Sequence, residues 1–203
     1  MNKKYEKYGF FVKRNLLQKQ TLDVLKIQFK INEECIHIQH NIDYSNKGYF
    51  QDTQVKNSFG WYGNYCFESL LLILQKDYET ILNKKLFPCY SYARTMYQGA
   101  DMKKHKDRPS CQYSVTICID EDLDNPYPIF IEDYAGKTHS VHLKSGDALF
   151  YNGTELNHWR EEYQGKEQMQ AFLHYVDSDG EYKDNKFDGR LSLGLAKQSI
   201  NIV

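Results

Sequence analysis

Tyr97-Gln98-Gly99-Ala100-Asp101-Met102-Lys103-Lys104-His105-Lys106-Asp107 closes a β-prone run with a glycine turn, then sets an imidazole and a carboxylate two residues apart. Residues two apart on an extended segment point to the same side, so His105 and Asp107 can meet a single ion. A His-x-Asp pair alone is a common accident of solvated loops, and its weight comes from its place in the chain. It follows a candidate strand at 89–97 and precedes another at 112–119, which puts it at the rim of a sheet.

Working outward, short β-prone runs recur at 128–133, 138–143, 148–151, 157–161 and 168–176. Turn chemistry separates them: Ala135-Gly136-Lys137, Lys144-Ser145-Gly146-Asp147, Asn152-Gly153 and Gln164-Gly165. This spacing predicts a mainly β, double-sheet antiparallel fold. His158 falls on the short run 157–161 and adds a third ligand type, since such a fold brings distant segments side by side. Two imidazoles and one carboxylate on one face, with other positions open, is the donor set that suits non-haem Fe(II). Catalytic zinc could draw on the same ligands, but it would also need a general base, and no His-Glu-x-x-His helix is present.

Upstream, residues 8–12 read as a strand and 16–29 as a helix, while 35–58 is mixed and rich in turn residues. A firmer helix follows Asn64, its apolar stripe Phe67, Leu70, Leu71, Leu74, Tyr78, Ile81 and Leu82 spaced by threes and fours. It ends near Lys84-Lys85, before Pro88, where cations suit the helix C-terminus. The two helices are expected to pack on the outer face of one sheet. The chain of 203 residues has the length of one domain, 1–177, in which 1–86 support a β core at 87–177. Residues 178–203 are polar and read as a loosely attached tail, although Leu191, Leu193 and Leu195 could add a short strand.

Composition narrows the setting. Apolar residues are 41% and charged residues 26%, which allows a core and argues against disorder. The aliphatic run 70–74 is far short of the ~20 residues a bilayer requires, and the first residues are polar. No membrane association and a cytoplasmic location are therefore expected. A net charge of −1 does not favour nucleic acid. The five cysteines form no Cys-x-x-Cys pair and read as reduced thiols, and the 15% aromatic content suits a pleated, half-buried surface.

The string from Tyr97 to Asp107 resembles the Tyr-x-x-Gly…His-x-Asp signature of the Fe(II)/2-oxoglutarate dioxygenases related to prolyl 4-hydroxylase. Lys144-Ser145-Gly146-Asp147-Ala148-Leu149-Phe150-Tyr151 is similar to that family's Gly-Asp turn and the strand leading to its distal histidine, here His158. The resemblance runs over about 89–175. It implies a double-stranded β-helix, or jelly roll, holding Fe(II) through His105, Asp107 and His158. It also implies 2-oxoglutarate as co-substrate, dioxygen, and ascorbate as a reductant. On that basis 2-oxoglutarate becomes succinate and carbon dioxide while a C–H bond of another substrate, a prolyl or other peptidyl residue or a small polar molecule, is hydroxylated.

The chain departs from the family pattern at the co-substrate anchor. The family places Arg or Lys about nine to eleven residues after the distal histidine, for the far carboxylate of 2-oxoglutarate. Here those positions hold Glu167, Gln168 and Met169. Arg160 and Lys166 are the nearby cations. Arg160 shares strand parity with His158 and is preferred, with Gln170 as a polar helper, and Tyr97 could add its hydroxyl. Among the other histidines, His174 alternates with apolar residues and reads as a hydrogen-bonded sheet residue, and His139 and His142 lie on opposite strand faces. Two other classes stay open: a cupin-like binding module with an incidental metal site, and a metal-dependent hydrolase or isomerase that does not turn over 2-oxoglutarate.

Overall fold

The computed structural model describes residues 2–39, 49–50, 53–122 and 124–195. A short helix α1 (Lys3–Tyr8), capped by the Asn2 side chain, leads into β1 (Phe10–Lys13) and then α2 (Lys19–Gln39). β2 (Tyr49–Phe50) and β3 (Ser58–Tyr62) precede α3 (Tyr65–Leu82). The core strands follow: β4 (Leu86–Tyr97), β5 (Met102–His105), β6 (Tyr113–Asp120), β7 (Ile129–Glu132), β8 (Thr138–Val141), β9 (Ala148–Asn152), β10 (His158–Arg160) and β11 (Glu167–Asp177).

All strand pairs are antiparallel, in a seven-stranded sheet ordered β1-β9-β6-β11-β4-β3-β2 and a four-stranded sheet ordered β5-β10-β7-β8. The two sheets form a jelly roll that is not a closed barrel. Period-two alternation sorts the larger sheet into two faces. On β11, Met169, Ala171, Leu173 and Tyr175 join Phe29 of α2 and Phe67, Leu71 and Leu74 of α3 in the main apolar core. Gln168, Gln170, Phe172 and His174 alternate with them and face the smaller sheet. A second apolar cluster, including Ile129, Ile131, Leu149 and Tyr151, fills one end of the space between the sheets.

The α3 stripe behaves as its spacing predicts, and Asn64 accepts a hydrogen bond from the Cys66 N–H at 3.0 Å. Its C-terminus differs from expectation: Asn83 takes the left-handed conformation at φ 54°, and no cation lies in the last turn. Lys84 instead pairs with Asp177 at the end of β11. The predicted helix at 16–29 begins later and extends to Gln39, and the predicted strand at 8–12 is shifted to Phe10–Lys13 behind α1. α1, β2, β3 and β5 lie outside the predicted elements; all are short, which weakens a periodicity signal.

The tail reading is corrected over 178–195. A 3₁₀ segment at Lys183–Gly189 packs on β4, and Asp188 and Arg190 are buried. Arg190 bonds Glu68 of α3 at 2.6 Å, so paired charges hold this stretch in place of apolar side chains. No strand forms at 191–195. All five cysteines are free thiols, and no helix among the described residues is long and apolar enough to cross a membrane.

Candidate metal centre

β5 and β10 are neighbours in the smaller sheet, and their register sets His105 directly opposite His158. The two rings lie 4.3 Å apart, centroid to centroid. Asp107 follows β5 and is steadied by its backbone N–H, which donates to the Gly153 carbonyl at 2.8 Å. A ligand atom from each of His105, Asp107 and His158 lies within 4.8 Å of the others. Both imidazole Nε2 atoms are 3.6 Å from the same oxygen, Asp107 Oδ1.

The tautomers follow from the backbone. His105 Nδ1 is 2.8 Å from the Lys103 carbonyl and His158 Nδ1 is 3.1 Å from the Leu156 carbonyl. A carbonyl only accepts, so each Nδ1 carries a proton, and each Nε2 is the nitrogen that faces Asp107 and is open to a metal. The Gln54 amide stands 3.2 Å from His105 Nε2, a donor in a direction where a metal ion would bind. Burial alone would raise the Asp107 carboxyl, but the His158 and His105 imidazoles outweigh it and hold the group well below the usual carboxylate range. His105 has the opposite balance: burial pulls it down, while Asp107 and the Lys103 carbonyl raise it above its ordinary value.

Gly153 is required for this packing. A Cβ there would stand 2.3 Å from the Cys111 carbonyl oxygen and 2.4 Å from Asp107 Oδ2. Asp107 Oδ2 also lies 3.2 Å from the Ser114 hydroxyl. The three ligands open onto a cavity of about 370 Å³ with aromatic walls at Tyr62, Tyr90, Tyr92 and Phe172. Arg94 lines it too, its guanidinium 4.9 Å from the Tyr92 ring and 5.6 Å from the Phe172 ring.

Arg160 is enclosed between the sheets at 3% exposure. Its Nη1 donates to the Tyr127 carbonyl and its guanidinium lies 4.9 Å over the Tyr127 ring, while Nε and Nη2 have no hydrogen-bond partner. Burial pulls the guanidinium below its ordinary value. Gln170, fully buried, accepts from Thr116 at 3.3 Å and leaves its own amide nitrogen unpartnered. Cys118, directly across from Gln170 in the β11–β6 register, is pushed up to about 12 by burial and lowered by the Gln168 amide and by Arg160, so these groups share one interior. Buried donors without acceptors cost stability, and a carboxylate would satisfy them. Lys166, by contrast, is exposed. Tyr97 is corrected: it packs against the helix-side core, on the sheet face turned away from the ligand cluster.

The chain can be set beside known structures on this geometry. It matches a Pseudomonas putida prolyl-4-hydroxylase at 12% identity and TM-score 0.64, over 85% of this chain and 95% of that one. HygX from Streptomyces hygroscopicus, solved with nickel, 2-oxoglutarate and hygromycin B, matches at 10% identity and TM-score 0.65, over 86% of this chain and 85% of that one. The fold is that of the 2-oxoglutarate/Fe(II) oxygenases. SnoK, a non-haem α-ketoglutarate-dependent carbocyclase of nogalamycin biosynthesis, shares the oxygenase fold at 12% identity and TM-score 0.66, over 98% of this chain and 94% of that one. No protein-family model and no curated protein matches the sequence.

Several residues of this oxygenase-fold cavity escaped the sequence reading. Arg94, Tyr90 and Tyr92 sit on the inner face of β4, and only the alternation of β4 against the helix-side Ala93 could have separated them from core. His174 does hydrogen-bond in the sheet as expected, Nδ1 to the Ser114 hydroxyl at 2.9 Å. It also lines the cavity beside Asp107, and burial lowers its pKa to about 4, which keeps the ring neutral.

Proposed function

We propose that the chain is an Fe(II)- and 2-oxoglutarate-dependent dioxygenase that hydroxylates a peptidyl or small polar substrate. The carrying observation is the convergence of two imidazole Nε2 atoms on one oxygen of a carboxylate held ionised, next to an enclosed arginine with unpartnered donors. His105, Asp107 and His158 would hold Fe(II), whose chemistry couples dioxygen reduction to conversion of 2-oxoglutarate into succinate and carbon dioxide.

The remaining work belongs to the chain. Arg160 would take the far carboxylate of 2-oxoglutarate through Nε and Nη2, the planar fork that suits a carboxylate, with the Gln170 amide as a further donor. The Lys103 and Leu156 carbonyls keep the two ring protons away from the metal. Tyr90, Tyr92 and Phe172 wall the cavity in which a C–H bond would face the metal and from which water would be displaced.

Succinate formation from 2-oxoglutarate by the Fe(II)-loaded protein tests this reading without a known primary substrate. Wild type should form succinate, and the Ala variants of His105, Asp107 and His158 should not. Metal binding without any succinate from wild type would overturn it in favour of a metal-dependent hydrolase or isomerase. Because the fold also serves a carbocyclase, mass analysis of converted candidate substrates separates hydroxylation, which adds an oxygen atom, from ring closure, which does not.

A further inference from the structure

Cys111 and His174, on the Ser114 side of Asp107, take no part in the reading above. Cys111 ends the single 3₁₀ turn Pro109–Cys111 and His174 lies on the inner face of β11, and both are buried, at 2% and 5% exposure. The Cys111 sulfur, a ring nitrogen of His174 and a carboxylate oxygen of Asp107 all lie within 4.8 Å of one another. The same bound holds for His105, Asp107 and His158.

The two oxygens of Asp107 face different neighbours. Oδ1 faces the imidazoles of His105 and His158, and Oδ2 faces the Ser114 hydroxyl at 3.2 Å. Ser114 Oγ has alternatives to that contact: it is 3.0 Å from the Cys111 carbonyl and 2.9 Å from His174 Nδ1. Its single proton can go to the Cys111 carbonyl, which frees Oδ2. With that proton spent, Ser114 Oγ accepts from the His174 Nδ1–H, and the other ring nitrogen, Nε2, keeps its lone pair as the ligand atom. The Tyr90 hydroxyl lies 3.0 Å from Cys111 Sγ, placed to donate to a thiolate.

We propose that Asp107 Oδ2, Cys111 Sγ and His174 form a second divalent-cation site, with Asp107 bridging it to the His105–Asp107–His158 site. One sulfur, one imidazole and one carboxylate make a borderline-soft set that fits zinc, bound by three protein ligands with a fourth position open to the cavity. Bond lengths of about 2.0–2.3 Å make ligand–ligand edges of roughly 3.3–3.8 Å, so these side chains need to close by no more than about 1.5 Å. A bridging carboxylate sets two ions on the order of 4 Å apart, a spacing typical of two-metal sites.

Cobalt(II) is the probe, because a cobalt–thiolate bond gives a near-ultraviolet charge-transfer band that histidine and carboxylate ligands do not. Titrated anaerobically into the metal-free full chain, it should bind at about two equivalents and develop that band. Cys111→Ser and His174→Gln should each lose the band and fall to about one equivalent. The wild-type spectrum decides the matter even if a variant fails to fold: no thiolate band, or one equivalent only, overturns the proposal. A band that survives in folded Cys111→Ser overturns it too, since another thiol would then be the ligand. Failure of the 2-oxoglutarate reading looks different: succinate is not formed, and the thiolate band is unaffected.

Discussion

Arg108 grips Asp188 with both terminal nitrogens, at 2.6 and 2.9 Å, and thereby ties the C-terminal segment to the residue next to Asp107. The Ser110 hydroxyl, at 2.7 Å, and the Tyr62 hydroxyl, at 2.8 Å, reach the same carboxylate. Burial would raise the Asp188 carboxyl, and Arg108 and Ser110 more than offset it, so the group stays charged well below the ordinary range. Phe187, Asp188 and Gly189 all have positive φ, at 55°, 58° and 77°. A bulky residue such as Phe seldom adopts that conformation, and the surrounding contacts hold it there.

Replacing Asp188 by Ala should cost about 2–3 kcal/mol, because it leaves the Tyr62 hydroxyl and a half-exposed guanidinium without their acceptor, while the Ser110 hydroxyl can turn to Asn185 Oδ1 at 3.0 Å. Urea unfolding of wild type and variant measures this. A loss below half a kilocalorie would show that the segment does not anchor the fold.

Arg160→Ala should weaken 2-oxoglutarate binding by roughly 1.5–3 kcal/mol, about tenfold to somewhat more than a hundredfold, with metal affinity nearly unchanged. Arg160→Lys should fall in between, because an ammonium keeps the charge but loses the planar fork. Lys166→Ala should bind normally. Anaerobic titration of 2-oxoglutarate into the metal-loaded variants reads all three, and a larger defect at Lys166 would reverse the assignment.

Gly153→Ala forces either the backbone at Cys111 or the Asp107 carboxylate to move, since both lie within 2.4 Å of the new Cβ. Metal affinity should drop by about tenfold or more, in line with the effect of disturbing a ligand's support. Calorimetric titration with manganese(II) checks this, and wild-type affinity would mean that Asp107 is not held by this contact.

Glu33 on α2 is pushed up to about 7, first by burial and then by the nearby Glu167, against the pull of Lys30. A carboxyl raised in the folded state favours folding when protonated. That contribution is complete below the ordinary value of 4.5 and is lost as pH rises through about 7. Glu33→Gln should therefore be more stable than wild type at pH 8 by about 1–2 kcal/mol, a value reduced for residual solvent contact, and equal to it near pH 4. Urea midpoints at the two pH values test the sign, and a Gln variant less stable at pH 8 would refute it.

Much of the architecture is local and could be read directly. The α3 stripe, its Asn64 cap and most core strands depend on period and turn chemistry, which a few neighbouring residues encode. The pairing of His105 with Asp107 is equally local, because both stand on one extended segment. Strand parity also favoured Arg160 over Lys166, and the structure encloses the first and exposes the second. Parity alone gave no answer for Tyr97, where the same alternation turns the ring toward the helices; which face of β4 meets them is decided by packing.

The sequence by itself determined the longer, strongly periodic elements and the residue types available for a metal centre. Tertiary structure decided which of those residues meet. His158 reaches His105 only because β5 and β10 become neighbours, and loop closure over more than fifty residues leaves no periodic trace in the chain. The same holds for 178–195, whose charges read as solvated until Arg108 and Glu68 are brought to Asp188 and Arg190. A buried charge is stable only beside its partner, and that partner is supplied by the fold, from far away in sequence.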